Sequence, residues 1–448
     1  MVGIFSNSLK YHEIEHGKGL AILYEIKVPY KGGNRMSKKV CMLIADHPFM
    51  DSRIFKKEAK SLHKNGYDVT LIVPRKNGYL FDIDGTPFTN QFLNKTFTHD
   101  GIKIITYNWE DSRDQLSKVT SNTKLWEKEG FQNPLTQLAI EENADIYHVH
   151  EYLSLFAGVG TKRMLKKLKS KDVKLIYDSH ELTPDPLDTR YTVTRRKLLM
   201  DKLLYMLQEV DHIITISHAI KSWYLSQNPN LLVEVIYNSP PLTTDYKPKE
   251  YSTKSLITCY EGNIDSHRGS KDKIFGISEI CSKQINFQFK IIGGPRFGET
   301  IPIPSHLENV IKMTGWVDYH TISRHMEEVD VGWIDYDDLG HSLNRSYAMP
   351  NKFFSYLNNG VPVVVNKCHE MESFIREHRC GLVVNNTQAT AQDYADAFLY
   401  LFKNKNQLKQ MSTNARKVME DIYSWEKMEN RLLTVYDRLI GNELRFNK

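Results

Sequence analysis

Long apolar runs are missing from this sequence of 448 residues. No stretch approaches the roughly 18 apolar residues that a membrane-spanning helix needs, so no such helix is expected. The first residues, MVGIFSNSLKYHEIEHGKG, lack the basic, then apolar, then small-residue layout of a secretory signal. Cysteine is scarce, and Cys41, Cys259, Cys281, Cys368 and Cys380 lie far apart. They show no metal-ligand spacing, and an odd number without a framework suits a reducing cytosol, not a disulfide scaffold. Neither sign of charge dominates: 59 Lys and Arg against 54 Asp and Glu leave +5, too mild to point to nucleic acid. What is present, 41% hydrophobic and 25% charged residues, describes a folded globular protein. The length exceeds what one core usually organises, so two domains are expected.

The first 35 residues differ in texture from the rest. The pattern tightens at MSKKVCMLIADHPF, and Met36 is expected to be the natural start. A purine-rich ribosome-binding tract read in this frame encodes Lys-Gly-Gly, and Lys31 to Gly33 has that sequence just upstream. A natural N-terminal extension is the other reading.

Beyond Met36, continuous apolar runs recur, each followed by a stretch of helical period. VCMLIA, VTLIV, IKIITY, DIYHVH, KLIYD and HIITIS read as strands in the first half. LITCYEG, FQFKIIGG, VIKMTG, DVGWID, VPVVV and CGLVV do so in the second. Strands without alternation are buried on both faces, as parallel sheets covered by helices require. In DSRIFKKEAKSLHKNG, Asp51 caps a helix with Ile54, Phe55, Ala59 and Leu62 on its inner side and Gly66 at its end. SPPLTTDYKPKEYSTKS has no period and reads as a linker between two doubly wound units. From Trp425, the stripe Met428, Leu432, Val435, Tyr436 and Leu439 marks a terminal amphipathic helix.

Ligands of open parallel sheets sit beyond the carboxyl ends of the strands, so chemistry is sought there. In PNKFFSYLNNGVPVVV a helix begins at Pro350, with Phe353, Phe354 and Leu357 inward and Gly360 as its end. Its free amides and Lys352 together make a phosphate site, against the simpler reading of a solvated lysine. YEGNIDSHRGS offers Arg268 beside Gly269, and a guanidinium binds two phosphate oxygens at once. Gly293 and Gly294 let a ligand approach the backbone. Trp316 and Val317 follow another strand, where an aromatic ring or an amide can meet a nucleobase; packing of Trp316 in the core is the ordinary expectation. DIYHVHEY leaves His150 and Glu151 at one strand tip, and IYDSHEL leaves Asp178, His180 and Glu181 at another. His148 shares a strand face with His150, and a hydrogen-bonding role suits it better than zinc. The acidic loop at Asp335 to Asp338 is expected to be solvated and to hold no metal.

HPFMDSRIFKKEAKSL, ADIYHVHEY, LIYDSHEL, DHIITIS, VIYNSP, YEGNIDSHRG, IIGG, MTGWV, PNKFFSYLNNGVPVVV and YSWEKMENRLLTVY, in this order, resemble the retaining glycosyltransferases of family 4. The likeness runs from about Met36 to the C-terminus. It implies the α/β GT-B fold: two Rossmann-like, doubly wound parallel-sheet domains facing across a cleft. The implied layout is an extension at 1–35, an acceptor domain at 36–240 and a linker at 241–254. A donor domain at 255–420 follows, and a helix at 421–448 returns to the first domain.

Carried over by position, His150 corresponds to the family's active-site histidine near the donor sugar. Arg268 corresponds to the second member of the basic pair on the donor diphosphate, whose first member falls at Asn263. Ser355 falls where the second glutamate of the family's paired motif contacts ribose, and Tyr347 where the first stands. Both acids are absent: either Lys352 and Asn351 take more of the diphosphate, with Pro350 on the donor-binding side, or the activity is weakened. His47, Asp51, Glu151, His180 and Glu181 belong to the acceptor side or support it.

The implied reaction needs no cofactor and no metal. Arg268, Lys352 and helix-end amides stabilise the charge that grows on the departing nucleoside diphosphate, and the acceptor attacks from the front face. The donor is expected to be UDP- or GDP-linked, and the acceptor a glycan or lipid-linked molecule of surface polysaccharide or glycoconjugate synthesis. The expected address is the cytoplasm, with peripheral contact on the inner face of the membrane. TKRMLKKLKSKDVK and RRKLLMDKLLYML are basic and amphipathic, as lipid-facing helices are, and equally as solvent-facing crossover helices are. Asn263, Tyr347 and Ser355 favour a competing reading: a non-catalytic GT-B partner or glycan-binding subunit of another transferase. A sugar-nucleotide epimerase would use more cleft carboxylates than these motifs supply.

Overall fold

The computed structural model describes residues 38–111, 131, 133–264, 270–295, 300–318, 321–337 and 339–441. The first sheet contains β1 (Lys39–Ile44), β2 (Asp68–Arg75), β3 (Thr96–His99) and β4 (Ile102–Asn108). It continues with β5 (Ile146–His150), β6 (Lys174–Ser179), β7 (His212–Thr215) and β8 (Val233–Val235). The order is β3-β4-β2-β1-β5-β6-β7-β8, parallel throughout except for β3, which runs antiparallel to β4. The second sheet has β9 (Ser255–Asn263), β10 (Asn286–Gly294), β11 (Ile311–Met313), β12 (Val331–Ile334), β13 (Val363–Asn366) and β14 (Gly381–Val384). Its order is β11-β10-β9-β12-β13-β14, all parallel. Every apolar run read as a strand forms one. The two additions, β3 and β8, lie at the edges of the sheet, where the strands are short and only partly covered.

The first crossover begins at Asp51, whose carboxylate accepts the amides of Arg53 (2.8 Å) and Ile54 (3.0 Å). The Lys56 amide then bonds the Asp51 carbonyl five residues back, so Ile54–Ala59 winds as a π-helix before the α-helical Lys60–Lys64. Ile54, Phe55, Ala59 and Leu62 are buried, and Gly66, at φ 87°, takes the left-handed turn that ends the segment.

The two sheets are held face to face by caps exchanged between their domains. Asp185, after β6, accepts the Leu343 amide (3.3 Å) and the Asn344 amide (3.1 Å) at the start of the Leu343–Tyr347 helix. In return, Glu370 accepts the amides of His218 (2.7 Å) and Ala219 (3.0 Å), which open the His218–Gln227 helix. Each carboxylate meets free amides at a positive helix end, so each interface bond is charge-assisted. The Trp425–Leu439 helix lies against the first sheet's elements: Trp425 Nε1 donates to Ser61 Oγ at 3.1 Å, and Tyr436 Oη is 2.9 Å from His148 Nδ1. In the basic stretch at 161–174, Lys162 and Lys174 pair with Asp211, Arg163 with Glu209 and Lys171 with Asp145.

His212, at the start of β7, is buried with neither ring nitrogen hydrogen-bonded. Burial first, then Arg438 and Lys221, lowers its pKa to about 4. The unfolded chain takes up a proton near pH 6.5 that the folded chain refuses, so stability is lost as pH falls from 6.5 towards 4. Replacing His212 by leucine removes this slope. Urea unfolding at pH 7 and pH 4.5 is expected to show the variant losing about 2 kcal/mol less than the parent chain. Equal losses in both proteins would reject this assignment.

Candidate active site

The carboxyl ends of the adjacent strands β1, β5 and β6 open on one wall of a cleft of about 2290 Å³, and those of the second sheet open on the other. On the first wall, pairing sets His150 beside Ile44 on one side and Asp178 on the other. Asp178 is the hub. Arg53 donates Nε to Asp178 Oδ2 (2.9 Å) and Nη2 to Oδ1 (2.8 Å), while Nη1 donates to the Ile236 carbonyl (2.8 Å). Glu58 Oε1 lies 3.0 Å from the same Nε, so two buried carboxylates share one guanidinium. Burial raises the Glu58 pKa well above the usual carboxylate range, with Arg53 only partly offsetting it. For Asp178 burial acts the same way but is outweighed, chiefly by Arg53, and its carboxyl is held well below that range.

The histidines cluster on this hub. His150 Nδ1 lies 3.3 Å from Asp178 Oδ2 and 3.2 Å from His180 Nε2, and its ring stacks on His148 at 4.4 Å. Burial lowers the His150 pKa to about 4, so it is neutral at pH 7. His150 is 0% exposed and stands behind the cleft lining. The residue that the resemblance places near the donor sugar is thus buried beside His180, which lines the cleft. The acceptor-side candidates His47, Asp51, Glu151, His180 and Glu181 all line the cleft. His47 Nδ1 is 3.5 Å from Asp51 Oδ2 and its Nε2 is 3.9 Å from Glu151 Oε1. Burial opposes the charged form of His47 but is outweighed by Asp51 and Glu151, so its pKa rises well above 6.5. His180 spans the same acids, Nε2 at 3.0 Å from Asp178 and Nδ1 at 3.7 Å from Glu151. Asn344 of the second domain donates to Glu181 Oε2 at 3.2 Å.

On the second wall, Pro350 is the N-cap of the Asn351–Asn358 helix, with Phe353, Phe354 and Leu357 buried as the spacing predicts. Lys352 points to the end of β9: its Nζ is 3.8 Å from the Tyr260 ring centroid and 3.6 Å from where a Cβ on Gly262 would stand. Gly293, at φ 126°, lies so close to Gly262 that a Cβ would sit 2.3 Å from that carbonyl oxygen, so glycine is required there. Gly293, Asn263, Val317, Pro350, Asn351, Lys352 and Ser355 line the cleft, whereas Gly294 does not. Trp316 is not in the core: it is 39% exposed on the cleft wall, and its Nε1 donates to the Pro295 carbonyl at 2.8 Å. Arg268 and Gly269 lie outside the described residues.

Three features escaped the sequence reading. Glu261, on the second wall, has its pKa raised by burial, with the Ser355 hydroxyl and Lys352 opposing, so an acid does stand beside Lys352. Tyr347 packs with Leu343 on the hydrophobic core of the first domain. Asp335 and Asp337 of the acidic loop are not merely solvated: both accept from Lys273 Nζ, at 2.6 and 2.7 Å.

Among the described residues, two groups of side chains bring ligating atoms together. In the first, Glu58, His148, His150 and Asp178, the Arg53 guanidinium already supplies the cation. The second is His47, Glu151 and His180, which open on the cleft.

Residues 53–240 match the model of Glycosyltransferase Family 4, and residues 286–425 match that of the Glucosyltransferase 3-like C-terminal domain. Sucrose-phosphate synthase from Thermosynechococcus elongatus superposes with a TM-score of 0.60 at 13% identity, over 91% of this chain and 100% of that one. Anabaena HepE, solved in complex with UDP, gives 0.60 at 13% identity over 90% and 100%. TarM of S. aureus, in a complex that contains UDP, gives 0.57 at 12% identity over 89% and 100%. At these identities the likeness speaks to the fold alone. No protein of curated function matches the chain in sequence.

Proposed function

The chain belongs to glycosyltransferase family 4 in its GT-B form, and from that premise we propose that it moves a hexose from a nucleotide-diphosphate sugar to a glycan or lipid-linked acceptor, with retention. The observation that carries the proposal is the Lys352 ammonium at the end of β9, set across the cleft from the His47–Glu151–His180 wall. Departure of the nucleoside diphosphate builds negative charge as the anomeric carbon becomes cationic. A fixed ammonium beside the phosphates stabilises that charge as it develops, with no metal in the step. Arg268 is proposed to share these phosphates on the strength of its sequence position. Glu261, next to Ser355, supplies the carboxylate that the Asn351–Asn358 helix lacks. His150 is proposed as a positioning residue, because it is buried off the cleft lining and touches His180, which lines the cleft. The acceptor hydroxyl is proposed to enter from the first wall and to attack on the face that the diphosphate leaves.

UDP is the first donor to test, because HepE and TarM were solved with it. UDP-glucose and related UDP sugars are expected to raise the melting temperature of the purified chain. The gain at a ligand concentration a hundred times Kd is about 2.7 kcal/mol. GDP sugars serve as the comparison, and hydrolysis or transfer by the chain alone completes the test. No stabilisation by any nucleotide sugar would reject this reading in favour of a non-catalytic GT-B subunit.

A further inference from the structure

We propose that His47, His180 and Glu151 form a binding site for one divalent transition-metal ion of the zinc class on the first-domain wall of the cleft. His47 Nε2 and His180 Nδ1 face the same Glu151 oxygen, Oε1, at 3.9 and 3.7 Å. The remaining nitrogen of each ring faces a different carboxylate: His47 Nδ1 lies 3.5 Å from Asp51 and His180 Nε2 lies 3.0 Å from Asp178. Metal-ligating histidines are oriented in just this way, one nitrogen on the ion and the other on a carboxylate that fixes the ring. Those outer carboxylates are themselves anchored. Asp51 accepts the Arg53 and Ile54 amides, and Asp178 is gripped by the Arg53 fork.

One ligand atom from each residue lies within 4.8 Å of the others, and side-chain rotations that draw these atoms in by about 0.5–1.5 Å would close them around an ion with bonds of about 2.0–2.1 Å. They are also reachable, because the side chains of His47, Glu151 and His180 are 28%, 20% and 11% exposed and line the cleft. Glu151 is held at φ 70° as the first residue of the Glu151–Lys169 helix, a left-handed conformation unusual for an acidic residue at that place. The buried group around Glu58 offers the opposite case, with no exposure and a guanidinium already in ion-pair contact. Two imidazoles and one carboxylate suit zinc or cobalt, whereas magnesium and calcium favour all-oxygen shells. Three protein ligands leave a coordination position open to the cleft, where water or a hydroxyl-bearing molecule completes the shell. The proposed stabilisation of the leaving group uses Lys352 on the opposite wall, and cobalt binding is read without donor or acceptor, so the site is tested independently of that reading.

The test is a titration of the full chain, stripped with a chelator, with cobalt(II) chloride alone, followed by visible absorption. One cobalt per chain is expected, with d–d bands of a low-coordinate N/O site that zinc chloride abolishes. His47→Gln and His180→Gln are each expected to weaken cobalt at least about tenfold. Asp51→Asn, which touches the ion only through His47 and still caps its helix, should weaken it by about 10–100-fold. His378→Gln, a histidine set against Tyr423 in the second domain, should leave binding unchanged. Melting curves without metal establish that the variants are folded; should His180→Gln fail to fold, His47→Gln and Asp51→Asn carry the test. Absence of bands, or equal binding by the parent chain, His47→Gln and Asp51→Asn, overturns the site.

Discussion

Arg53→Leu is expected to destabilise the fold by about 3–5 kcal/mol, the scale of removing one partner from a buried ion pair. Arg53 is only 1% exposed, and its three hydrogen bonds satisfy both Asp178 oxygens and the Ile236 carbonyl. Without it, the buried carboxyl groups of Asp178 and Glu58 lose the guanidinium they share. The loss arises from the charge left behind, not from the pair's intrinsic worth. Replacing both partners, as Arg53→Leu with Asp178→Leu, should therefore be less damaging than the sum of the single changes. Urea unfolding of the two single variants and the double variant forms the cycle. A strictly additive result would show that the three groups do not act as a unit.

The sheets were legible because their strands are buried on both faces, and unbroken runs such as VCMLIA and VPVVV have few other uses. The first wall was legible in part for a topological reason: His47, Glu151 and His180 follow β1, β5 and β6 by one to three residues, where open sheets place their ligands. Arg53 and Lys57 were hidden by the period, and Glu58 by its charge. Read at 3.6 residues per turn, Arg53 and Lys57 fall outside the apolar stripe, whereas Glu58, four residues after Ile54 and four before Leu62, falls within it; Ile54–Ala59 winds with bonds to the fifth residue, and Lys57 and Glu58 are both buried. Glu261 was hidden by distance. Only the packing of the Asn351–Asn358 helix against β9 brings Ser355 and Lys352 to it, and no local pattern encodes a partner so far along the chain. Trp316 misled for another reason: bulk and apolarity predict burial in general, yet this residue follows a strand on the cleft wall, where it is exposed.

Lys352→Ala is expected to lower sugar transfer by about 10²–10³-fold, the effect of removing one preorganised group from a developing oxyanion. The loss should fall on kcat more than on KM, because the diphosphate gains its extra charge only as the glycosidic bond breaks. Position argues for the lysine over a merely solvated charge. Its ammonium rests on the Tyr260 ring at 3.8 Å, over the edge of Gly262, and lines the cleft beside Glu261. Arginine is not expected to rescue it, since a planar fork requires width where Gly262 and Tyr260 close the space. Steady-state rates with the best UDP sugar at saturating acceptor decide the matter. An unchanged kcat in Lys352→Ala would leave the ammonium a bystander and move the stabilisation of the leaving group to the Arg268 segment.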